Sequence, residues 1–248
     1  MSAPSSCWFH QGVDPGTIIT LDHPVPSQWK IFEKLDERDF QASEEMHRRH
    51  GHYSYATAKL LCGDPRNPPG RPSCEFIFRS RQATTYTPPE LTAYQEFTLK
   101  DFSNVPKLLG YKVSTQDKSG LIPNGFAIWL AWEMVPGLRL GDKLGNDPYW
   151  TLSAVEREHV RMAFIEALPQ ALEKGYGPYT PSLSKLVWNS QTGTLYFIGY
   201  FYGINDDPKV RSNIEIGPDV LARYGLVKPS SNEWRTENWN GDTTGWKM

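Results

Sequence analysis

Between Lys174 and Asn205 the chain carries neither Asp nor Glu. Its functional groups there are phenols, hydroxyls and ammonium groups, among them Tyr179, Thr180, Lys185 and Tyr200. Such a segment can donate hydrogen bonds and attract an anion. It cannot ligate Mg²⁺, a hard cation held through carboxylates and phosphates. It also supplies no carboxylate to orient a hydroxyl nucleophile. Elsewhere, "MHRRHGHY" sets His47, His50 and His52 close together. No Cys or acid of suitable spacing completes a metal set, so the trio reads as the solvated end of a charged helix. Cys7, Cys62 and Cys74 lack ligand spacing, and so sparse and odd a set suits a reducing compartment. No metal site and no cofactor is expected.

Composition narrows the classes further. The chain has 248 residues, 39% of them hydrophobic, and a formal charge of −2. That balance argues against a nucleic-acid binder driven by phosphate contacts. "GFAIWLAWEMV" is too short to span a bilayer. "MSAPSSCWFHQG" has no basic region followed by an apolar run, so no signal peptide is read and a cytoplasmic protein is expected. Nine Trp and twelve Tyr exceed the needs of a small core. Some are expected to line an apolar ligand cleft or a partner surface.

The elements that must position these groups can be read in order. Residues 1–27, rich in Pro, Ser and Gly, read as an arm. "DERDFQASEEMHRR" (36–49) reads as a charged helix. "YSYATAKLLC" (53–62) and "CEFIFRSR" (74–81) read as a hairpin around the turn-dense "GDPRNPPGRPS". Thr87, Pro88 and Glu90 make a capping box for a helix with Leu91, Tyr94 and Thr98 on one face. "VPKLLGYKV" is strand or turn material, and "GFAIWLAWEMV" (125–135) a buried strand. Ser153 and Glu156 cap the longest helix, whose stripe is Val160, Phe164, Ala167, Ala171 and Leu172. Pro169 is expected to kink it and Gly175 to end it. "KLVWNSQTGTLYFIGY" then reads as strand, turn, strand, and "PDVLARYG" as a short helix in a polar tail with three Trp in its last sixteen residues. Helices and strands segregate, which indicates α+β.

This order, over roughly residues 50–203, resembles the protein-kinase-like superfamily, most closely the degenerate kinase-like proteins of filamentous fungi. The resemblance implies a truncated two-lobed fold with an antiparallel N-lobe sheet and a reduced helical C-lobe. Its parts would be an N-terminal arm (1–27), a sheet-plus-helix N-lobe (28–135), a C-lobe with the long helix and a hairpin (136–203), and a Trp-rich tail on the body (204–248). "CEFIFRSR" would be the strand that usually carries the ATP-binding lysine, with Arg79 near that place. "PPELTAYQEF" would supply the partner acid, Glu90, though Glu90 also reads as a capping residue. Glu133, Met134 and Val135 would form the hinge. Kinases orient the nucleophile with an Asp and hold magnesium with an Asn in H-R-D-x-x-x-x-N. Here Thr180 stands at the Asp place, Lys185 at the Asn place, and Gly199-Tyr200-Phe201 near the D-F-G place. A cation at Lys185 would repel Mg²⁺ and attract an anion. The Gly-rich phosphate loop is missing.

The resemblance therefore implies a kinase scaffold without ATP·Mg²⁺ phosphotransfer. Its cleft, with Arg79, Glu90, Glu133, Tyr179, Thr180, Lys185 and Tyr200 as candidate lining residues, would take a small hydrophobic or aromatic molecule. Metal-free cyclisation or isomerisation in fungal secondary metabolism is the reaction this suggests. One alternative is a non-catalytic scaffold for a protein partner. Another is a residual phosphotransferase with acids relocated to Glu133, Asp142 or Asp206.

Overall fold

The computed structural model describes residues 9, 12–50, 54–66, 72–79, 88–116, 118, 125–142, 144–178, 180–199, 201–204 and 215–248. It is a mixed α/β chain with antiparallel sheets and few helices. Contacts divide it into two units, residues 1–88 with 107–134, and residues 89–106 with 135–248.

The first unit is built on six antiparallel strands. They are β1 (Ile18–Leu21), β2 (Ser27–Phe40), β3 (Tyr55–Gly63), β4 (Pro72–Arg79), β5 (Leu108–Thr115) and β6 (Phe126–Glu133), in the order β1-β2-β3-β4-β6-β5. β6 lies between β4 and β5, and its run "FAIWLAWE" is buried at six of eight positions. The two edges of the sheet are tied together just past β1. His23 and Tyr111 exchange backbone hydrogen bonds of 3.1 and 2.9 Å, and their rings stack 4.8 Å apart. Gly110 permits this approach, because a Cβ there would stand 3.0 Å from Leu21 Cδ1 and 3.1 Å from the His23 carbonyl oxygen. Phe9, Val13, Ile19, Leu21, Ile31, Leu60 and Cys62 fill the core of this unit. Full burial of such a side chain contributes roughly 1.5–3 kcal/mol.

Two sequence expectations are corrected here. Residues 18–21 of the expected arm form a strand, and Phe9, Val13, Ile19 and Leu21 are core residues. Residues 36–40 of the expected charged helix belong to β2; the helix α1 is only Glu44–His50. β2 pairs with both β1 and β3, so its backbone groups are satisfied by neighbours rather than by a helix. Register shifts between Ile31 and Glu33, and between Lys34 and Asp36, break the in–out alternation that would have marked it as a strand.

The second unit holds α2 (Pro89–Leu99), α3 (Ala154–Glu173) and α4 (Pro218–Tyr224). It also holds a three-stranded sheet of β10 (Thr194–Phe197), β9 (Leu186–Asn189) and β7 (Leu138–Arg139), and a separate pair, β8 (Tyr176–Pro178) with β11 (Phe201–Gly203). α3 starts where Ser153 Oγ accepts a hydrogen bond from the Glu156 amide at 3.1 Å. It runs through Pro169 to Glu173, and Gly175 follows at φ +93°. Its buried stripe includes Val160, Phe164, Ala167, Leu168 and Ala171. Phe164 meets the rings of Phe197 and Tyr224 at 5.8 and 4.6 Å. A second aromatic knot joins Phe97 to Phe102, Tyr176 and Phe201 at 5.1–5.8 Å between ring centres. α2 packs on β11 and is counted with this unit, whereas the sequence reading groups it with the sheet. Its buried Tyr94 and Phe97 have their aromatic partners here. The Thr87 cap expected for α2 lies outside the described residues.

Candidate functional site

The second unit brings together the turn before β9, the end of the β9–β10 hairpin, and α2. Ser182 opens a short 3-10 turn over Leu183–Lys185 and accepts a hydrogen bond from the Ser184 amide at 3.2 Å. Arg139, on β7, donates Nε and one terminal nitrogen to the Ser184 carbonyl at 3.0 and 2.9 Å. This charge-assisted fork fixes the turn from which Lys185 projects. The Lys185 carbonyl in turn accepts from the Ile198 amide at 2.8 Å, which sets Gly199 beside it.

Gly199 has φ +96°, a conformation glycine adopts without steric cost. The Lys185 ammonium passes over its Cα: a Cβ at Gly199 would lie 2.8 Å from Nζ. From the α2 side, the Tyr94 hydroxyl donates to the Gly199 carbonyl at 3.3 Å, and its ring meets Phe201 edge-on at 5.5 Å. Glu90 stands one helical turn before Tyr94 on the same face and is 2% exposed. Glu90, Tyr94, Lys185 and Gly199 thus belong to one packed unit. The arrangement presents a cation over a glycine backbone, a phenol committed to that backbone, and a buried carboxyl group on the same face of α2.

The other sequence candidates are placed differently. Thr180 is exposed on the loop after β8. Glu133 is exposed at the end of β6, in the first unit. The backbone of Arg79 closes β4 opposite Tyr55 and Phe126, in that same unit. The Arg79 side chain, Tyr179, Tyr200 and Asp206 lie outside the described residues. Asp142 is engaged in its own turn, accepting from the amides of Leu144 and Asn146 at 2.8 and 2.9 Å. His52 and the His50 side chain also fall outside the described residues. Among the described residues no group of three His, Cys, Asp or Glu is placed to hold a metal ion. Among them, too, no helix is long and apolar enough to cross a membrane.

Sequence reasoning missed a second feature of this unit. A surface cleft of about 400 Å³ runs between α3 and the β9–β10 hairpin, lined by His159, Met162, Ile165, Glu166, Trp188 and Ser190 among others. Trp188 is buried, and its Nε1 has no acceptor among the described residues. The legible signal was the spacing of His159, Met162 and Glu166, which puts all three on the face of α3 opposite its buried stripe.

No protein-family model and no curated protein matches the chain. Solved structures do match it. The Cydia pomonella granulovirus kinase PK-1 aligns over 69% of this chain and 53% of its own, at 15% identity and a TM-score of 0.43. Vaccinia related kinase 3 aligns over 80% of this chain and 56% of its own, at 14% identity and a TM-score of 0.43. These structural neighbours are protein kinases, and the chain spans little more than half their length.

Proposed function

We propose that the chain has a kinase-like fold without ATP·Mg²⁺ phosphotransfer and binds a small hydrophobic or aromatic molecule. The observation that carries this reading is Lys185 laid over Gly199 within a stretch, 174–205, that has no carboxylate. A cation in that position opposes a divalent metal and favours a neutral or anionic group. The element order and the abundance of Trp and Tyr support the second half. The reaction class in keeping with phenols, cations and an apolar ligand is cyclisation or isomerisation, promoted by ligand shape and polar contacts.

A thermal-shift series tests this. ATP with Mg²⁺ should leave the melting temperature unchanged, and a member of a polyketide-like or terpenoid-like panel should raise it. A ligand at a hundredfold its dissociation constant adds roughly 2.7 kcal/mol of apparent stability. Stabilisation by ATP·Mg²⁺ would overturn the reading. The cleft beside α3, with Met162 57% exposed, favours a second reading as a binding scaffold for a protein partner. On that reading Arg79→Ala leaves capture of the partner unchanged.

A further inference from the structure

Three cations converge on one indole in the second unit. Arg157, Lys228 and Lys247 stand 5.4, 4.5 and 5.3 Å from the ring centre of Trp150. They come from distant parts of the sequence, and the backbone aligns them. Lys228 and Lys247 exchange a pair of backbone hydrogen bonds, each 2.9 Å, so the two side chains start from one rung. Arg157 sits in the first turn of α3, where the helix dipole already makes the potential positive. Its two terminal nitrogens are spent on the Leu152 carbonyl oxygen at 2.7 Å and on a Met248 main-chain oxygen at 3.1 Å.

The indole face offsets part of the repulsion among these charges, but it does not neutralise them. Their shared ring keeps the three charges within reach of one another's fields. None forms an ion pair with an Asp or Glu side chain among the described residues. Both lysines are exposed, so their ammonium groups are available. The cluster is not the by-product of a basic chain, whose formal charge is −2. Trp234, whose ring lies 6.5 Å from that of Trp246, carries two more cations, Arg223 and Arg235, at 5.8 and 4.6 Å. Of these, Arg223 is shared with Asp219 at 3.9 Å.

We propose that the Trp150 face binds a phosphate group of two or more negative charges, with Lys228 and Lys247 as its direct contacts and Arg157 supplying field. A single carboxylate would leave most of the local positive charge uncompensated, whereas a phosphate monoester or pyrophosphate matches it and offers several acceptor oxygens. This site is separate from the Lys185–Gly199 cluster and does not depend on the proposed function.

Calorimetric titration of the full chain with inorganic pyrophosphate at low ionic strength tests the site, in parallel with co-sedimentation on neutral vesicles with and without a phosphoinositide. Lys228→Gln/Lys247→Gln keeps the backbone rung and removes both contacts. Pyrophosphate affinity should fall at least tenfold in that variant and should weaken steeply with salt. Binding of pyrophosphate without the vesicles assigns the site to soluble phosphate esters. Phosphoinositide-dependent binding lost in the variant assigns it to a lipid headgroup. Lys30→Gln/Lys118→Gln makes the same change in net charge at two other exposed lysines. The proposal is overturned if neither probe binds, if the first variant binds as tightly as the parent, or if the second loses as much affinity as the first.

Discussion

The Tyr94 hydroxyl and the Gly199 carbonyl, 105 residues apart in sequence, are joined by a hydrogen bond of 3.3 Å. The contact ties α2 to the segment that ends the β9–β10 hairpin. Tyr94 is fully buried, so its hydroxyl has little recourse to water. Lys185 covers Gly199 from another side, and the left-handed backbone of Gly199 turns its carbonyl toward the phenol.

Tyr94→Phe keeps the ring contact with Phe201 and removes the donor. It should cost about 1 kcal/mol, more if the freed carbonyl stays dry. Urea denaturation would show this as a lower midpoint at unchanged slope. A midpoint equal to that of the parent would mean the hydrogen bond does not hold the segment.

Glycines separate strain from collision. Gly145 (φ +83°) has open space around the position of a Cβ, so Gly145→Ala pays only for its backbone conformation, about 1 kcal/mol. Gly137 (φ +134°) lies against the backbone of Trp188, and a Cβ there would overlap the Trp188 carbonyl oxygen. Backbone on both sides cannot yield as a side-chain tip does. Gly137→Ala should therefore cost at least twice as much, on the order of 3 kcal/mol. Equal losses in the two variants would show that β7 and β9 are free to move apart.

The capped, striped α3 was legible because its signals are local: Ser153 and Glu156 at its start, Gly175 at its end, and apolar residues at helical spacing between. The β9–β10 hairpin was legible for the same reason. β2 was not, since its charged residues favour a helix locally and only pairing with β1 and β3 makes it a strand. The site was legible in part. The lack of carboxylates near Lys185 is a property of sequence, but the approach of Tyr94 to Gly199 is tertiary and left no local pattern. The cation cluster on Trp150 was invisible for that reason too, since Arg157, Lys228 and Lys247 meet only through the fold.

Ser153 offers a test of how far α3 depends on its cap. Its hydroxyl accepts the Glu156 amide at 3.1 Å on the solvent side of the helix end. Ser153→Ala should destabilise the chain by about 1 kcal/mol, and Ser153→Asp should restore most of the loss, because Asp caps and also favours the helix dipole. If Ser153→Asp were no more stable than Ser153→Ala, the cap would not be what the residue contributes.

High pH should destabilise this chain through two of its buried tyrosines, Tyr149 and Tyr224. Burial raises the Tyr149 hydroxyl above its ordinary value, an effect the adjacent Arg161 guanidinium partly offsets. Burial, with a smaller contribution from Tyr202, raises Tyr224 far above it. A raised value means that the folded chain keeps a proton the unfolded chain has lost. The stability each tyrosine contributes is therefore complete below the unfolded value of about 10, and falls as pH rises from there through the folded value. In that window each protonated phenol lowers stability by about 1.4 kcal/mol per pH unit. Tyr224→Phe keeps the ring against Phe164 and removes one of the two groups, so its stability should fall less steeply than the parent's above pH 10. Urea midpoints measured from about pH 9 to about pH 11, either side of the unfolded phenol value, decide it. Parallel curves for parent and variant would show that Tyr224 is not protonated by burial in the folded chain.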